Sequence, residues 1–163
     1  MTNYILVRAA ALALLLGLTA PAQALTSAEA EAVVGIVEQL AEEMGEGMVV
    51  DAADIFYDYD SLGVSLIPAA GFDRQGWRIA YEAVATGYMA TIPEGEFNAV
   101  FAEPLARLDG SALPEDQKAV IRAHVEGLVA EAQQARLSGM VHAEVVRPLE
   151  YRLDALFFGA FGE

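Results

Sequence analysis

Asp51-Ala-Ala-Asp-Ile-Phe-Tyr-Asp-Tyr-Asp60 decides whether this chain is all-helical or mixed. As a helix it takes Asp51 as N-cap, runs to Leu62 and closes at Gly63. Ile55, Phe56, Tyr59 and Leu62 then share an inward face, while Asp51, Asp54 and Asp58 line another at i, i+3 and i+7. As a strand, Tyr57-Asp58-Tyr59-Asp60 alternates with period two, and aromatic residues favour strands. The helical reading is adopted over the strand one.

Upstream, Thr26-Ser-Ala-Glu29 has the form of a capping box, so a helix starts there. Val33, Val34, Val37, Leu40, Ala41 and Met44 follow on one stripe, Glu31, Glu38 and Glu42 fall opposite, and Gly45 and Gly47 end it. Between Thr26 and Gly63 stand ten carboxylates (Glu29, Glu31, Glu38, Glu42, Glu43, Glu46, Asp51, Asp54, Asp58, Asp60) and no Lys, Arg or His. Residues 64–163 hold the other fourteen acids and eight bases, so negative charge is concentrated in the N-terminal part.

Residues 1–24 read as a cleaved secretory signal: Arg8, the apolar run Ala9 to Leu18, then Pro21-Ala-Gln-Ala24 with small residues at the cleavage positions. The run is about half the ~20 residues a spanning helix needs, and no transmembrane segment is expected in the mature chain. The destination is periplasmic or secreted, in a bacterium. With no cysteine, lipobox attachment, disulfides and thioether haem are excluded, and the core alone holds the fold. Across 163 residues there are 24 acids against 9 Lys and Arg, a formal net charge of -15, with 55% hydrophobic residues. That apolar share marks a folded chain, and the charge argues against nucleic acid and anionic membrane surfaces as partners.

Downstream, Val64 to Phe72 is a connector, and Asp73 caps a helix. Trp77, Tyr81, Val84 and Tyr88 form its seam, with Ala80, Met89 and Ile92 one step round, and Pro93 stops it. Phe97, Val100, Phe101, Leu105 and Leu108 continue a helical stripe, with Pro104 inside. Proline removes one backbone bond and clashes with the preceding turn, so a kink is expected there and again at Pro148. Pro114-Glu-Asp116 opens a helix to about Arg136 with Ile121, Val125, Leu128 and Ala132 inward. Beyond Ser138-Gly139, Met140, Val141, Val145, Leu149, Leu153 and Leu156 carry the pattern on. The tail, Ala155-Leu-Phe-Phe-Gly-Ala-Phe-Gly162, either folds back to finish the core or forms an exposed docking patch.

The fold class expected is therefore all-α: one small acidic domain over residues 25–163, an irregular bundle of five or six helices, two of them kinked by proline. Its function is read as an exported binding or interaction module without an identified catalytic site, for a basic protein or cationic ligand. One alternative makes Asp51, Asp54 and Asp58 a hard-cation site, Ca²⁺ being content with carboxylate oxygens, although no EF-hand spacing is present. Others are a carboxylate hydrolase and an apolar-ligand carrier with a cavity beside Trp77. His124 and His142 stand eighteen residues apart, ~27 Å along an unbroken helix, too far to share an ion.

Overall fold

The computed structural model describes residues 24–159. The signal-peptide reading of residues 1–24 lies, but for Ala24, outside them, as does the end of the apolar tail, 160–163. All regular structure among the described residues is helical: α1 (Ser27–Met44), α2 (Ala53–Ser61), α3 (Leu66–Ala69), α4 (Arg74–Thr91), α5 (Glu94–Asp109), α6 (Glu115–Gly139), α7 (Ala143–Val146), a 3-10 turn (Arg147–Leu149) and α8 (Glu150–Phe158). The last three run end to end, so the described residues hold seven helical segments, against five or six expected. The short α3, inside the stretch read as a connector, is one that the sequence reading did not count.

The capping box is built as its residues dictate. Thr26 Oγ1 accepts from the Glu29 N–H at 3.2 Å, and Glu29 Oε2 accepts from the Thr26 N–H at 2.8 Å. The Thr26 hydroxyl, which also donates to Glu29 Oε2 at 2.7 Å, and then the Thr26 N–H hold the Glu29 carboxyl below its ordinary value. At the other end Gly45 takes φ 69 and donates to the Ala41 carbonyl, a left-handed cap that glycine adopts without penalty. Between them Val33, Val34, Val37, Leu40 and Ala41 are buried.

The segment is helical from Ala53 to Ser61, and the strand alternative falls. Its inward face differs from the one expected: Ala53, Phe56 and Asp60 are buried, whereas Ile55 and Tyr59 are exposed and Leu62 is 89% exposed. The reason lies in Asp60. Its two carboxylate oxygens accept from the backbone N–H groups of Leu66 at 2.7 Å and Ile67 at 2.9 Å, which start α3. A buried carboxylate is tolerable only with such partners, and satisfying it turns α2 away from the purely apolar choice. Nor is Asp51 the N-cap; Ala52 holds that position without a side-chain bond.

Helix α4 is the axis of the domain, packed by α1, α2, α6, α7 and α8. Asp73 Oδ1 caps it through the Gly76 N–H at 2.7 Å. Trp77, Ala80, Tyr81, Val84, Ala85, Gly87 and Tyr88 are buried, a wider arc than a single seam because neighbours press on several sides. Proline has its effect at Pro148, where a 3-10 turn separates α7 from α8; at Pro104 helix α5 continues unbroken.

α5 and α6 form a helical hairpin, and here the expected burial fails. Ile121 and Leu128 are exposed and Val125 and Ala132 half-buried, while α6 buries only Lys118 and Gly139. Gly139 lies against Thr86, and Arg136 Nη2 donates to the Ile92 carbonyl at 3.0 Å, so α6 runs antiparallel to the end of α4 and then past it. At 25 residues, ~37 Å long, it outreaches the core, and its first half has only α5 beside it. Lys118 Nζ stitches that half by donating to the Asp109 carbonyl at 3.1 Å.

The α4–α6 crossing depends on the absence of a side chain. A Cβ at Gly139 would stand 2.0 Å from the Thr86 carbonyl oxygen and 2.7 Å from the Gly87 nitrogen, both backbone atoms that cannot rotate aside. Gly139→Ala is therefore expected to destabilise the fold by roughly 1–3 kcal/mol or more, the cost typical of overpacking. The urea midpoint of the variant checks this, with exposed Gly127→Ala, where a Cβ meets nothing within 4 Å, as the control.

Candidate functional site

α2 presents Asp54 and Asp58 on its exposed face, and Arg74 at the start of α4 reaches both: Nη1 lies 3.0 Å from Asp54 Oδ1, and Nη2 is bonded to Asp58 Oδ1. The same guanidinium sits over the Tyr57 ring, 4.4 Å from its centroid. Asp51 stands apart, exposed in the connector before α2, and Asp60 is buried under α3. Among the described residues no three His, Asp or Glu side chains converge as a metal would require. Arg74 takes the position between Asp54 and Asp58 that a cation would take, and its two ion pairs raise its own pKa above the ordinary arginine value.

The other expected residues are also placed apart. His124 is exposed on α6, whereas His142 is half-buried at the turn into α7, where burial lowers its pKa. Trp77, the expected wall of a ligand cavity, is 0% exposed. Its indole N–H donates to the Ala53 carbonyl at 2.8 Å, and its ring meets Phe72 and Tyr81 with centroids 5.9 and 5.7 Å apart. Trp77 is solid core, so the carrier reading fails at that place.

Apolar space opens instead three turns further along α4. A groove of ≈ 260 Å³ has Tyr88, Met89 and Ile92 on one side and Phe97, Val100 and Phe101 of α5 on another. Met48, Val49 and Val50, from the connector between α1 and α2, and Phe157 and Phe158 of α8 complete it. The connector is fixed there by the Met48 N–H, which donates to the Leu156 carbonyl at 2.8 Å. Phe157 stacks on Tyr88 at 4.8 Å between centroids, and Phe97 meets Phe101 edge to face at 5.5 Å. Met48, Tyr88 and Phe97 are buried at the base; at the rim Val49, Val100 and Phe158 are 53%, 56% and 66% exposed.

One polar pair touches this apolar wall. The Tyr88 hydroxyl donates to Asp154 Oδ1, an exposed carboxylate on α8. Arg136 is the base beside the groove, and it is turned inward: it bonds the Ile92 carbonyl and lies 5.7 Å over the Phe97 ring. The acids near the rim are freer. Glu46 and Asp51 flank Met48–Val50 in the chain, Glu94 and Glu96 precede Phe97, and all four are exposed and without a basic partner within 4.0 Å among the described residues.

Sequence reasoning missed the groove because its walls come from stretches far apart in the chain, one of them the short gap between the first two helices and another the tail. The signals were present in Met48-Val-Val50, an apolar triplet between acids, and in the Phe157-Phe158 pair.

Burial raises the Tyr81 hydroxyl pKa well above 10.0, and for Tyr88 burial and then the Asp154 contact do the same. Each is protonated in the fold at a pH where the unfolded chain has begun to ionise. Stability from these two is therefore complete below about pH 10 and is lost as pH rises beyond it. Ultraviolet titration at 295 nm should show their ionisation only together with loss of helical circular dichroism. Calcium is expected to give no saturable heat up to millimolar concentration with the native chain, since Arg74 occupies the pair of aspartates; Arg74→Ala is the variant in which weak uptake should appear. Comparison with family models, with curated proteins and with solved structures finds no match to this chain, so the site is read from its own geometry.

Proposed function

We propose that this is an exported, non-catalytic binding module whose partner is a basic protein or cationic ligand. The observation that carries the reading is an apolar groove, with Met48, Tyr88 and Phe97 at its base, whose lining segments are flanked in the chain by the exposed acids Glu46, Asp51, Glu94 and Glu96. An apolar base excludes water and supplies affinity, and like charges around it select the sign of what approaches. Export rests on the signal-like N-terminus, and the lack of cysteine suits a compartment in which thiols oxidise.

Charge elsewhere supports the same reading. Glu42, Glu43, Glu46 and Asp51 gather at and beyond the C-terminal end of α1, which has no base in its last turn, so the negative end of the helix dipole adds to their field. Asp54 and Asp58 are offset by Arg74, and Glu31 and Glu38 by Arg152; the unpaired acids lie between those two clusters in the sequence.

The test is recovery of the processed protein from its own host at low ionic strength. Amino-terminal sequencing should begin at Leu25, and a co-purifying protein should be basic. Its apparent Kd should weaken by roughly tenfold or more as ionic strength rises from about 0.01 M to about 0.15 M, over which the Debye length shrinks from about 30 Å to about 8 Å. An acidic partner, or one retained unchanged at high salt, overturns the proposal.

A further inference from the structure

We infer that the groove between α4, α5 and α8 receives an amphipathic helix of a partner protein, with bulky apolar anchors one turn apart and lysines or arginines beside them. This deepens the binding-module reading and rests on it.

Size gives the first argument. At ≈ 260 Å³ the groove lies under the roughly 300–1,000 Å³ that encloses a drug-sized ligand. That suits a pair of bulky side chains better than a whole lipid or cofactor. A site of that size in a trough between helices matches anchors at i and i+4 from a helix lying across it. Addition of a strand is not open to this domain, because no sheet edge exists among the described residues.

Charge gives the second and chooses the partner. Glu46 and Asp51 flank Met48–Val50 in the chain, Glu94 and Glu96 precede Phe97, and Asp154 bonds Tyr88 at the wall, so a helix laid over Val49, Val100 and Phe158 would approach through acidic chain segments. The nearby base, Arg136, is committed to the Ile92 carbonyl and the Phe97 ring. Bases flanking the anchors would meet carboxylates around the groove, and Asp154, already accepting from Tyr88 at the groove wall, has a second oxygen to offer. A second copy of this chain is the poorer occupant. The exposed apolar positions along its α6, Val120, Ile121 and Leu128, sit among Asp116, Glu126 and Glu131, which repel the same carboxylates, and Arg122 between them is held by Asp109.

The experiment uses the full processed chain and a dye-labelled synthetic helix of leucine and lysine, with leucines at i, i+3, i+4 and i+7, read by fluorescence anisotropy. A companion peptide replaces every leucine by alanine and keeps every lysine. The leucine peptide should bind at least about tenfold tighter than its companion, a gap worth about 1.4 kcal/mol. Val100→Lys and Phe158→Ser, both at exposed rim positions that the core does not use, should each remove most of that gap while leaving the melting temperature unchanged. Asp154→Asn should weaken the leucine peptide by a few-fold and reduce its salt dependence.

Equal binding of the two peptides overturns the groove and leaves the acidic-surface reading standing. Absence of binding by either at low salt overturns both. Co-sedimentation with phosphatidylcholine vesicles in place of peptide binding, or self-association that Val100→Lys abolishes, assigns the groove to another occupant and also defeats the proposal.

Discussion

Three large side chains on α4 each have an apolar ring to bury and one polar atom that must not be buried alone. Trp77, Tyr81 and Tyr88 solve this in three directions: to the Ala53 carbonyl in α2, to the Val49 carbonyl at 2.8 Å, and to Asp154 on α8. Rings of this size bury 150–250 Å², roughly 4–6 kcal/mol each at 25 cal/mol per Å² as an upper bound. Losing the bond of a buried hydroxyl or indole N–H would return about 1–3 kcal/mol of that. The packing of α4 and the positions of the connector, α2 and α8 are thus one constraint, because α4 cannot bury its aromatic face unless those acceptors arrive. The groove is a by-product of the same geometry, since Val49 accepts from Tyr81 through its backbone and therefore turns its side chain to the rim.

Charge is handled locally, with few bases placed where acids are densest. Arg152 on α8 bonds Glu38 through Nε at 2.7 Å and Nη2 at 2.6 Å, and Glu31 through Nη1 at 2.6 Å, a fork that spans two turns of α1. Part of that contact is open to water, so each pair contributes about 1 kcal/mol or less. Its larger effect is to set the register of α8 on α1: Gly35 lies beneath the guanidinium, with room for a Cβ 3.7 Å from Nη2. Arg74 does the same between α4 and α2 with half of its side chain open to water, where screening leaves orientation as its main contribution.

The legible parts of the fold were those decided within one helix. The capping box at Thr26, the Asp73 cap and the Trp77 to Tyr88 seam depend on residues a few positions apart, and they stand as the spacing implies. What could not be read was decided between elements. α2 is rotated because Asp60 is claimed by the backbone of α3, a partner six and seven residues on across a turn in which Ser65 takes φ 59. The Ile121 to Ala132 stripe is a true helical stripe, but its burial required a neighbour that α4 is too short to provide. The acidic triplet failed to gather because one of its members lies before the helix and the other two were already paired with Arg74. The apolar groove needed long-range geometry throughout, and no periodicity in one segment reports a trough whose walls come from residues 48–50, 88–101 and 157–158.

The walls of that trough are held unequally. Met48, Tyr88 and Phe157 belong to the central core and are cross-linked by a backbone bond and a ring stack. The α5 wall has α6 as its main neighbour, and the hairpin is anchored to the domain at one end, through Gly139, Arg136 and Phe97. Phe101 and Val100 thus face fixed rings from an arm whose far half has little apolar burial, the condition under which local opening costs least. If the groove takes a partner's anchors as proposed, the fixed rings would select apolar ones, and a wall carried by a lightly buried hairpin would let its width follow the anchor that enters. A site so divided would discriminate on charge and shape at the rim more than on the identity of a single side chain, as a helix-binding groove requires.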